Sequence, residues 1–518
     1  MDGRNSLRQI IKSALLTGVA SVMFAVPVVA ADRANTVIHA DLGQVSTLDP
    51  IRSDYYQTWD ITSRLYGPLV AYDGEYNVVG DLASDYSVAA DATSISFVLR
   101  DAKFHDGAPV TAEDVVYTFD RLKRLGVGAA AFAALVDRID VEADNAFTIH
   151  LSAPSALFLG ELTKVSIINS ALVSRHAGTD DGQAWLAAND AGSGPYTLTS
   201  FDGNDAVLDW FDGYFMERGT RAQSLVFRRI DESATRRDEL IAGNVDVLLS
   251  LEERDVAAIR SQSGLSISVA PPTTIEGLYF NAHSGPTADA RVRRAIRLAY
   301  DYDGALAGIH QGHGNIPNGP LPAGLSCRPD LPVASQDLEL AKQLLAEAGQ
   351  QNLVLTLNFQ PAFQEQVKMA TLLQSNLQDI GVTLNLEPIA FPNYLERMKD
   401  PTKIPELMMI MENSQLPDPA SFLSMTYSSA TLGSTNRAGY SNPVVDDLLA
   451  KATVTTDPEQ RCDLDKQVQT ILDEDAVFMG MYMPNMEVPY RSATMVDPQV
   501  GQPDLHYGPL AFALKSAN

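Results

Sequence analysis

Lysine and arginine are scarce in this sequence: 38 of them face 65 aspartates and glutamates, and the 518-residue chain carries a formal charge of −27. A surface that acidic repels phosphate backbones and anionic headgroups, which argues against nucleic acid as a partner and against polybasic attachment to a membrane. Cysteine is scarcer still, with only Cys327 and Cys462. Two cysteines without CxxC spacing make neither a zinc site nor a redox motif, and they leave one disulfide or two buried thiols as open alternatives. Long hydrophobic runs are absent after residue 29, so no later segment is read as a membrane-spanning helix. The chain also has no GxxxxGK[ST] phosphate loop, no HExxH zinc helix and no GxSxG nucleophile elbow. Hydrolysis therefore has no positive support, and no cofactor or metal is expected. His310 and His313, in the Gly-rich run 308–320, have no cysteine or carboxylate pair beside them and read as exposed loop histidines.

What is present is ample apolar material, 45% of the residues, enough for two or three domains with packed cores. Arg4, Arg8 and Lys12 precede an apolar stretch from 14 to 29, and Val29-Ala30-Ala31 offers small residues for a peptidase. This reads as a secretory signal over 1–31, cleaved near Ala31, too short and wrongly flanked for a spanning helix.

Beyond it the pattern mixes strands and helices. Around 93–100, Ile95, Phe97 and Leu99 alternate with polar neighbours as in a half-buried strand. Thr111 opens a helix with Glu113 and Asp114 in its first turn and Val115, Phe119 and Leu122 on one face. Leu353, Leu355, Leu357 and Phe359, then a helix over 363–380 ending at Gly381, then Leu384 and Leu386 imply a right-handed crossover between parallel strands. Asp457-Pro458-Glu459-Gln460 starts a capped helix. Near Asp289, Arg291, Arg293, Arg294 and Arg297 surround an apolar stripe, and we read them as a solvated basic face rather than an anion site.

Several segments, in order, carry a resemblance. They are STLDP at 46–50, LYGPLVAYDG at 65–74, LASDYSVAADATSISFVLRDAKFHDG at 82–107, TAEDVVYTF at 111–119, GSGPY at 192–196, GLYFNAHSGPTADARVRRAIRLAYD at 277–301 and AKQLLAEAG at 341–349. Together they resemble the periplasmic solute-binding proteins of ABC importers, in the dipeptide, oligopeptide and nickel-binding family. The resemblance implies an α/β, two-lobed periplasmic binding protein fold with a hinge. Lobe I would span 32–275 with an extra subdomain inserted at about 73–175, lobe II 276–486, and the C-terminal return to lobe I 487–518. It also implies a periplasmic monomer that encloses a small polar solute and delivers it to an inner-membrane permease. Both cysteines then fall in lobe II, where a disulfide would stiffen one lobe and leave the hinge free.

The chain departs from the family where peptide binders hold their ligand. Such members carry Gly-Trp-x-x-Asp a few residues before Asp-Pro, and the Asp holds the ligand's ammonium group; here the segment is Met411-Glu412-Asn413-Ser414-Gln415. Gln415 stands at the carboxylate position and Glu412 at that of the Trp, while Gln360 takes the place of the arginine that meets the ligand's carboxylate. An enclosed charge without a partner costs several kcal/mol. The implied ligand is therefore no free dipeptide but a polar solute such as an oligosaccharide or a sugar or opine-type conjugate. Glu412 is either a hydroxyl acceptor, a partner for a cation or an exposed loop acid. Asn413, Asn436, Arg437 and Tyr440 complete the expected contacts from lobe II, with Arg437 able to clamp a carboxylate or phosphate. Ser46 and Thr47 are expected from the opposite lobe. An oligopeptide held through its backbone is the alternative within the same transporter class, and a secreted α/β hydrolase the alternative outside it. Mass spectrometry of exported material should find an N-terminus at about residue 32; recovery of residues 1–31 intact contradicts the leader.

Overall fold

Hydrophobic patterning in this chain builds two principal sheets, each sandwiched by helices. The computed structural model describes residues 33–52, 56–400, 403–414, 416–500 and 510–515; the leader expected at 1–31 lies outside them. The first sheet has seven strands, in the order Ser266–Ala270, Met486–Tyr490, Val247–Leu248, Thr36–Asp41, Ser224–Arg229, Asp205–Trp210 and Tyr196–Phe201. Its central strand Thr36–Asp41 pairs in parallel with both neighbours and is buried along most of its length, the burial expected of parallel strands covered on both faces. The second sheet has five strands, in the order Thr383–Pro388, Val354–Phe359, Leu407–Asn413, Thr274–Phe280 and Phe478–Tyr482. The chain passes from one sheet to the other twice, between Ala270 and Thr274 and between Tyr482 and Met486.

A separate antiparallel sheet of four strands, Ala83–Val88, Ser94–Leu99, Ala146–Leu151 and Val136–Ala143, is covered by the helix Ala112–Leu125. In Ser94–Leu99 the expected alternation is present, with Ile95, Phe97 and Leu99 buried and Phe97 stacked on Phe147 at 5.3 Å. Thr111 caps the helix as its sequence predicts. Its N–H donates to Asp114 Oδ2 at 2.9 Å, its hydroxyl reaches the same oxygen at 2.8 Å, and Gly126 ends the helix in the left-handed region. The glycines of GSGPY have a steric cause: a Cβ on Gly192 would stand 1.9 Å from the Leu65 carbonyl oxygen, and Gly194 N–H donates to that oxygen at 2.9 Å.

The predicted parallel crossover is also present. Strands Val354–Phe359 and Thr383–Pro388 pair in parallel, and the helix Gln364–Gln378 between them ends just before Gly381, at φ +80°. Asp457 caps the helix Pro458–Glu474, accepting from the N–H groups of Glu459 and Gln460. The arginines near Asp289 differ from expectation. Arg293 is buried and donates to the carbonyls of Thr287, Ala288 and Asp475, Arg294 donates to Glu474 O, and Arg297 grips Asp473. They are a clamp on the carboxyl end of the helix Pro458–Glu474, where the last carbonyls lack helical donors and the dipole attracts cations. His310 is likewise no exposed loop residue, since it is buried and stacked on Tyr482 at 3.5 Å.

Cys327 and Cys462 are joined in a disulfide with a Cα separation of 5.1 Å, which ties the loop at 327 to the helix Pro458–Glu474. The bridge closes a loop of 135 residues. Replacing both cysteines by alanine is expected to lower unfolding free energy by about 2–4 kcal/mol, largely through the unfolded chain; urea denaturation measures it, and an unchanged midpoint would contradict it.

Candidate functional site

Strand polarity locates the crevice. In the seven-stranded sheet, Thr36–Asp41, Ser224–Arg229 and Val247–Leu248 run in parallel. Ser266–Ala270 runs with them, because both it and Val247–Leu248 lie antiparallel to Met486–Tyr490. Their carboxyl ends therefore share the edge from which the chain leaves at Ala270. In the five-stranded sheet, Val354–Phe359, Thr383–Pro388 and Leu407–Asn413 run in parallel and against Thr274–Phe280, so their carboxyl ends lie at the edge where the chain enters. The two sets of strand ends meet at the connections, and α/β sheets receive ligands outside such ends.

The expected lobe II residues divide into two groups, one at this edge and one held by the loop after Thr274–Phe280 and by Asp475 at the other end of the sheet. Gln360 directly follows the strand Val354–Phe359, and its N–H donates to Gln366 Oε1 at 2.9 Å. Asn413 is exposed at the end of its strand, with Oδ1 2.6 Å from Thr274 Oγ1. Gln415 lies outside the described residues. Glu412 is not a loop acid: it sits within the strand Leu407–Asn413, only 5% exposed, opposite Ile275. Its carboxylate accepts from Arg437 Nε, and Met398 Sδ lies 3.6 Å from Arg437 Nη1. Burial pulls the Arg437 pKa down, but the Glu412 charge, helped by Tyr394 and Tyr279, outweighs it and holds the guanidinium pKa above its ordinary value.

Asn436 and Tyr440 are committed to the fold. The Asn436 amide donates to Ser428 O at 3.0 Å and Tyr440 O at 2.8 Å, while Tyr440 N–H donates to Asn436 Oδ1 at 3.2 Å. The Tyr440 hydroxyl donates to Asp475 Oδ2 at 2.6 Å. Both side chains are buried with their polar groups in use, so they fasten the loop. In the other lobe, Ser46 is exposed and Thr47 Oγ1 accepts from Asp49 N–H at 3.1 Å. Asp49 is gripped by Arg121 through both guanidinium ends, at 3.1 and 2.5 Å, which fixes this loop.

Apolar side chains at the strand ends are features that the sequence reading missed. Leu42 follows Thr36–Asp41, Phe363 caps the helix after Val354–Phe359, Phe391 opens the helix after Thr383–Pro388, and Met411 stands near the end of Leu407–Asn413; all four are exposed. The loops bearing Phe363 and Phe391 leave neighbouring strands, tied by Ile389 N–H donating to Phe359 O at 2.9 Å. A large apolar residue one to four positions after a predicted strand is the signal that finds Leu42, Phe363 and Phe391; Met411 lies within its strand and escapes it. Across the crevice, Tyr56 packs edge-on to Trp59, whose ring carries Lys164 Nζ at 3.7 Å, and burial lowers that amine's pKa to about 8. A cavity of 540 Å³ lies elsewhere, at the edge strand Tyr196–Phe201, with His105, Asp106, Asn169 and Asp190 in its walls and no residue of the five-stranded sheet. Among the described residues no group of three or more His, Cys, Asp or Glu is arranged to hold a metal.

Residues 77–434 match the family model of bacterial extracellular solute-binding proteins, family 5. The chain is 30% identical over 452 residues to the probable D,D-dipeptide-binding periplasmic protein of Escherichia coli K12, covering 85% of this chain and 87% of that one. Its fold is shared with HbpA2 of Haemophilus parasuis, with a TM-score of 0.83, 21% identity and 93% and 100% of the two chains covered. It is shared also with the PBP AgaA of A. tumefaciens R10 in complex with agropinic acid, with a TM-score of 0.73, 22% identity and 93% and 99% covered. The chain belongs to the bacterial extracellular solute-binding proteins, family 5, and has their two-lobed α/β fold. It is the solute-binding component of an ABC importer, an exported protein that hands its ligand to an inner-membrane permease.

The Glu412–Arg437 pair sets a stability test. Glu412→Gln strands a mostly buried guanidinium and is expected to cost about 3 kcal/mol, whereas the joint change Glu412→Met with Arg437→Met restores most of it. Urea unfolding reads both; a Glu412→Gln variant within about 0.5 kcal/mol of the parent contradicts the pairing.

Proposed function

We propose that the crevice takes a small, amide-rich, peptide-like solute with blocked or absent charged termini and an apolar portion. The observation that carries this reading is the closed ion pair: the one acid and the one base among the expected lobe II contacts, Glu412 and Arg437, neutralise each other. What is left to meet a ligand at the strand ends is Gln360 and Asn413, which donate and accept without charge, beside the apolar Phe363, Phe391, Met411 and Leu42; Gln415 is added to them from the sequence alone. Ser46 and Thr47 supply hydroxyls from the other lobe. A free ammonium or carboxylate enclosed among such groups loses its hydration with no counter-charge in return. The similarity to a protein named for D,D-dipeptides supports an amide-bearing ligand, and the apolar side chains favour it over a bare oligosaccharide.

In this proposal the connections at 271–273 and 483–485 are the hinge. Residues before the first and after the second belong to one lobe and those between them to the other. A ligand drives closure only as far as it binds the closed form better than the open one. Titration calorimetry with one tripeptide bearing apolar side chains, in free form and with acetylated and amidated termini, tests the reading. The blocked form is expected to bind at least about tenfold tighter, since one unmet charge exceeds 1.4 kcal/mol. Tighter binding of the free peptide, or binding confined to oligosaccharides or opines, overturns it.

A further inference from the structure

Away from the two connections, a second contact joins the lobes. The turn and short helix that follow the four-stranded sheet, residues 155–161, meet three helices of the other lobe, Pro419–Tyr427, Pro443–Val454 and Pro458–Glu474. Ala156 N–H donates to Thr453 O at 2.8 Å, and Leu157 is buried with Ala420, Ala452 and Leu464. The segment is braced from its own side by Ser155 N–H donating to Ala92 O at 2.9 Å.

Beside this seat three carboxylates face one guanidinium. Glu161 ends the short helix Phe158–Glu161. Opposite it stands Asp418, which caps Pro419–Tyr427 by accepting from Ser421 N–H at 3.0 Å and has Arg461 Nη2 3.5 Å from its other oxygen. Asp465, one turn beyond Arg461, is 1% exposed, and its Oδ1 has no hydrogen-bond partner. Tyr72, from the strand Val70–Tyr72, completes the enclosure and feels Asp418, Arg461 and Glu161. Lys164, the nearest cation of the same lobe in sequence, sits on the Trp59 ring.

We propose that this contact is a proton-linked clasp: residues 155–161 close on Asp418 and its helices, Glu161 takes up a proton as they meet, and the closed form gains on the open one as pH falls. The direction follows from the surroundings. Burial, then the Asp418 charge, pushes Glu161 up to about 7 in the closed arrangement; burial, then Asp418 against Arg461, does the same for Asp465. Asp465 has Asp418 and Arg461 beside it in its own lobe whether or not the lobes meet, so Glu161, which acquires its acidic neighbour from the opposite lobe, is the group that links protons to closure. Its closed-state pKa is raised above the open-state value. The ionised carboxylate therefore opposes closure above about pH 7, and that opposition is removed as pH falls towards the ordinary carboxylate range. A second titratable pair also crosses between the lobes, His313 Nε2 with Glu253 Oε1 at 3.1 Å, with Arg260 and Glu487 beside it.

The test uses the full exported chain without added ligand, labelled with a donor–acceptor dye pair at Glu142→Cys and Glu347→Cys, the native disulfide left oxidised. Energy transfer at pH 8 and pH 6 reads the closed-to-open ratio, expected to rise about tenfold on acidification in the labelled parent. Glu161→Gln is expected to be more closed at pH 8 than the parent is at pH 6, because the parent's open form is still ionised there, and to lose the response. Asp418→Asn, which keeps a good helix cap, should weaken the response. An unchanged transfer ratio in the parent overturns the clasp. So does a response that survives Glu161→Gln, including one that then disappears with His313→Gln, which would assign the proton to the pair near the connections.

Discussion

Two short connections, three residues each, carry every covalent link between the main sheets of this protein, and the placement of the crevice depends on them. Pro271 and Pro272 in one and Pro484 in the other fix φ near −65° and remove backbone donors. Such segments resist coiling, and the backbone bonds they make, Met483 with Asn315, Pro272 O with Gly324 N–H and Thr273 O with Ser414 N–H, anchor them on the side of the five-stranded sheet and leave rotation about the pair of links. Because both principal sheets present their parallel carboxyl ends at this edge, the same constraint that limits the motion also gathers the ligand-facing loops. Anything enclosed there is met by strand ends from both sides.

Charge inside the lobes follows a consistent rule. Arg121 with Asp49, Arg437 with Glu412 and Arg293 with the carbonyls at the end of Pro458–Glu474 each place a guanidinium where it finds planar, oxygen-rich partners. The Arg121–Asp49 pair stiffens the loop after Thr36–Asp41, which borders the crevice, while Arg293 fastens the opposite end of the five-stranded sheet. Their effect on recognition is negative in sense: a guanidinium already held by a carboxylate is a poor clamp for a ligand's carboxylate, because the ligand must displace an equally charged partner. Pre-organisation of the wall and the neutralising of Arg437 by Glu412 are thus two results of one arrangement.

Much of this was legible in the chain before any coordinates. The period-two runs at 94–99 and 353–359, the Thr111 and Asp457 caps and the Gly381 stop each depend on neighbours within a few residues, and those local determinants survive in the fold. The ordered family segments carried the two-lobed architecture. The site was legible only in outline. Glu412 and Arg437 are 25 residues apart and meet because a strand and a distant loop are brought together; nothing in either segment signals the other. Asn436 and Tyr440 looked like polar groups free for a ligand, yet their partners are loop carbonyls and Asp475. The arginines near Asp289 failed for the same reason, and His310 because packing laid its ring on Tyr482. Sequence periodicity reports which face is apolar and is silent on which polar partner tertiary packing supplies.

Closure has to be poised for such a protein to work. Carrying a two-state equilibrium from 1:99 to 99:1 takes about 5.5 kcal/mol of differential binding, so an empty closed form far more stable than the open one would leave the ligand nothing to decide. The contact away from the connections has the makings of that poise. Leu157 with Ala420, Ala452 and Leu464 is a small apolar seat, and a single backbone hydrogen bond from Ala156 adds about 1 kcal/mol at most. Against them stand Glu161, Asp418 and Asp465, with Arg461 offsetting the last two. Weak attraction opposed by like-charge crowding keeps the lobes near balance, and the ligand contributes the difference from the other end of the crevice. On a chain of net charge −27, acidic side chains also crowd the place where the lobes meet away from the connections, and there they hold the empty lobes from locking shut.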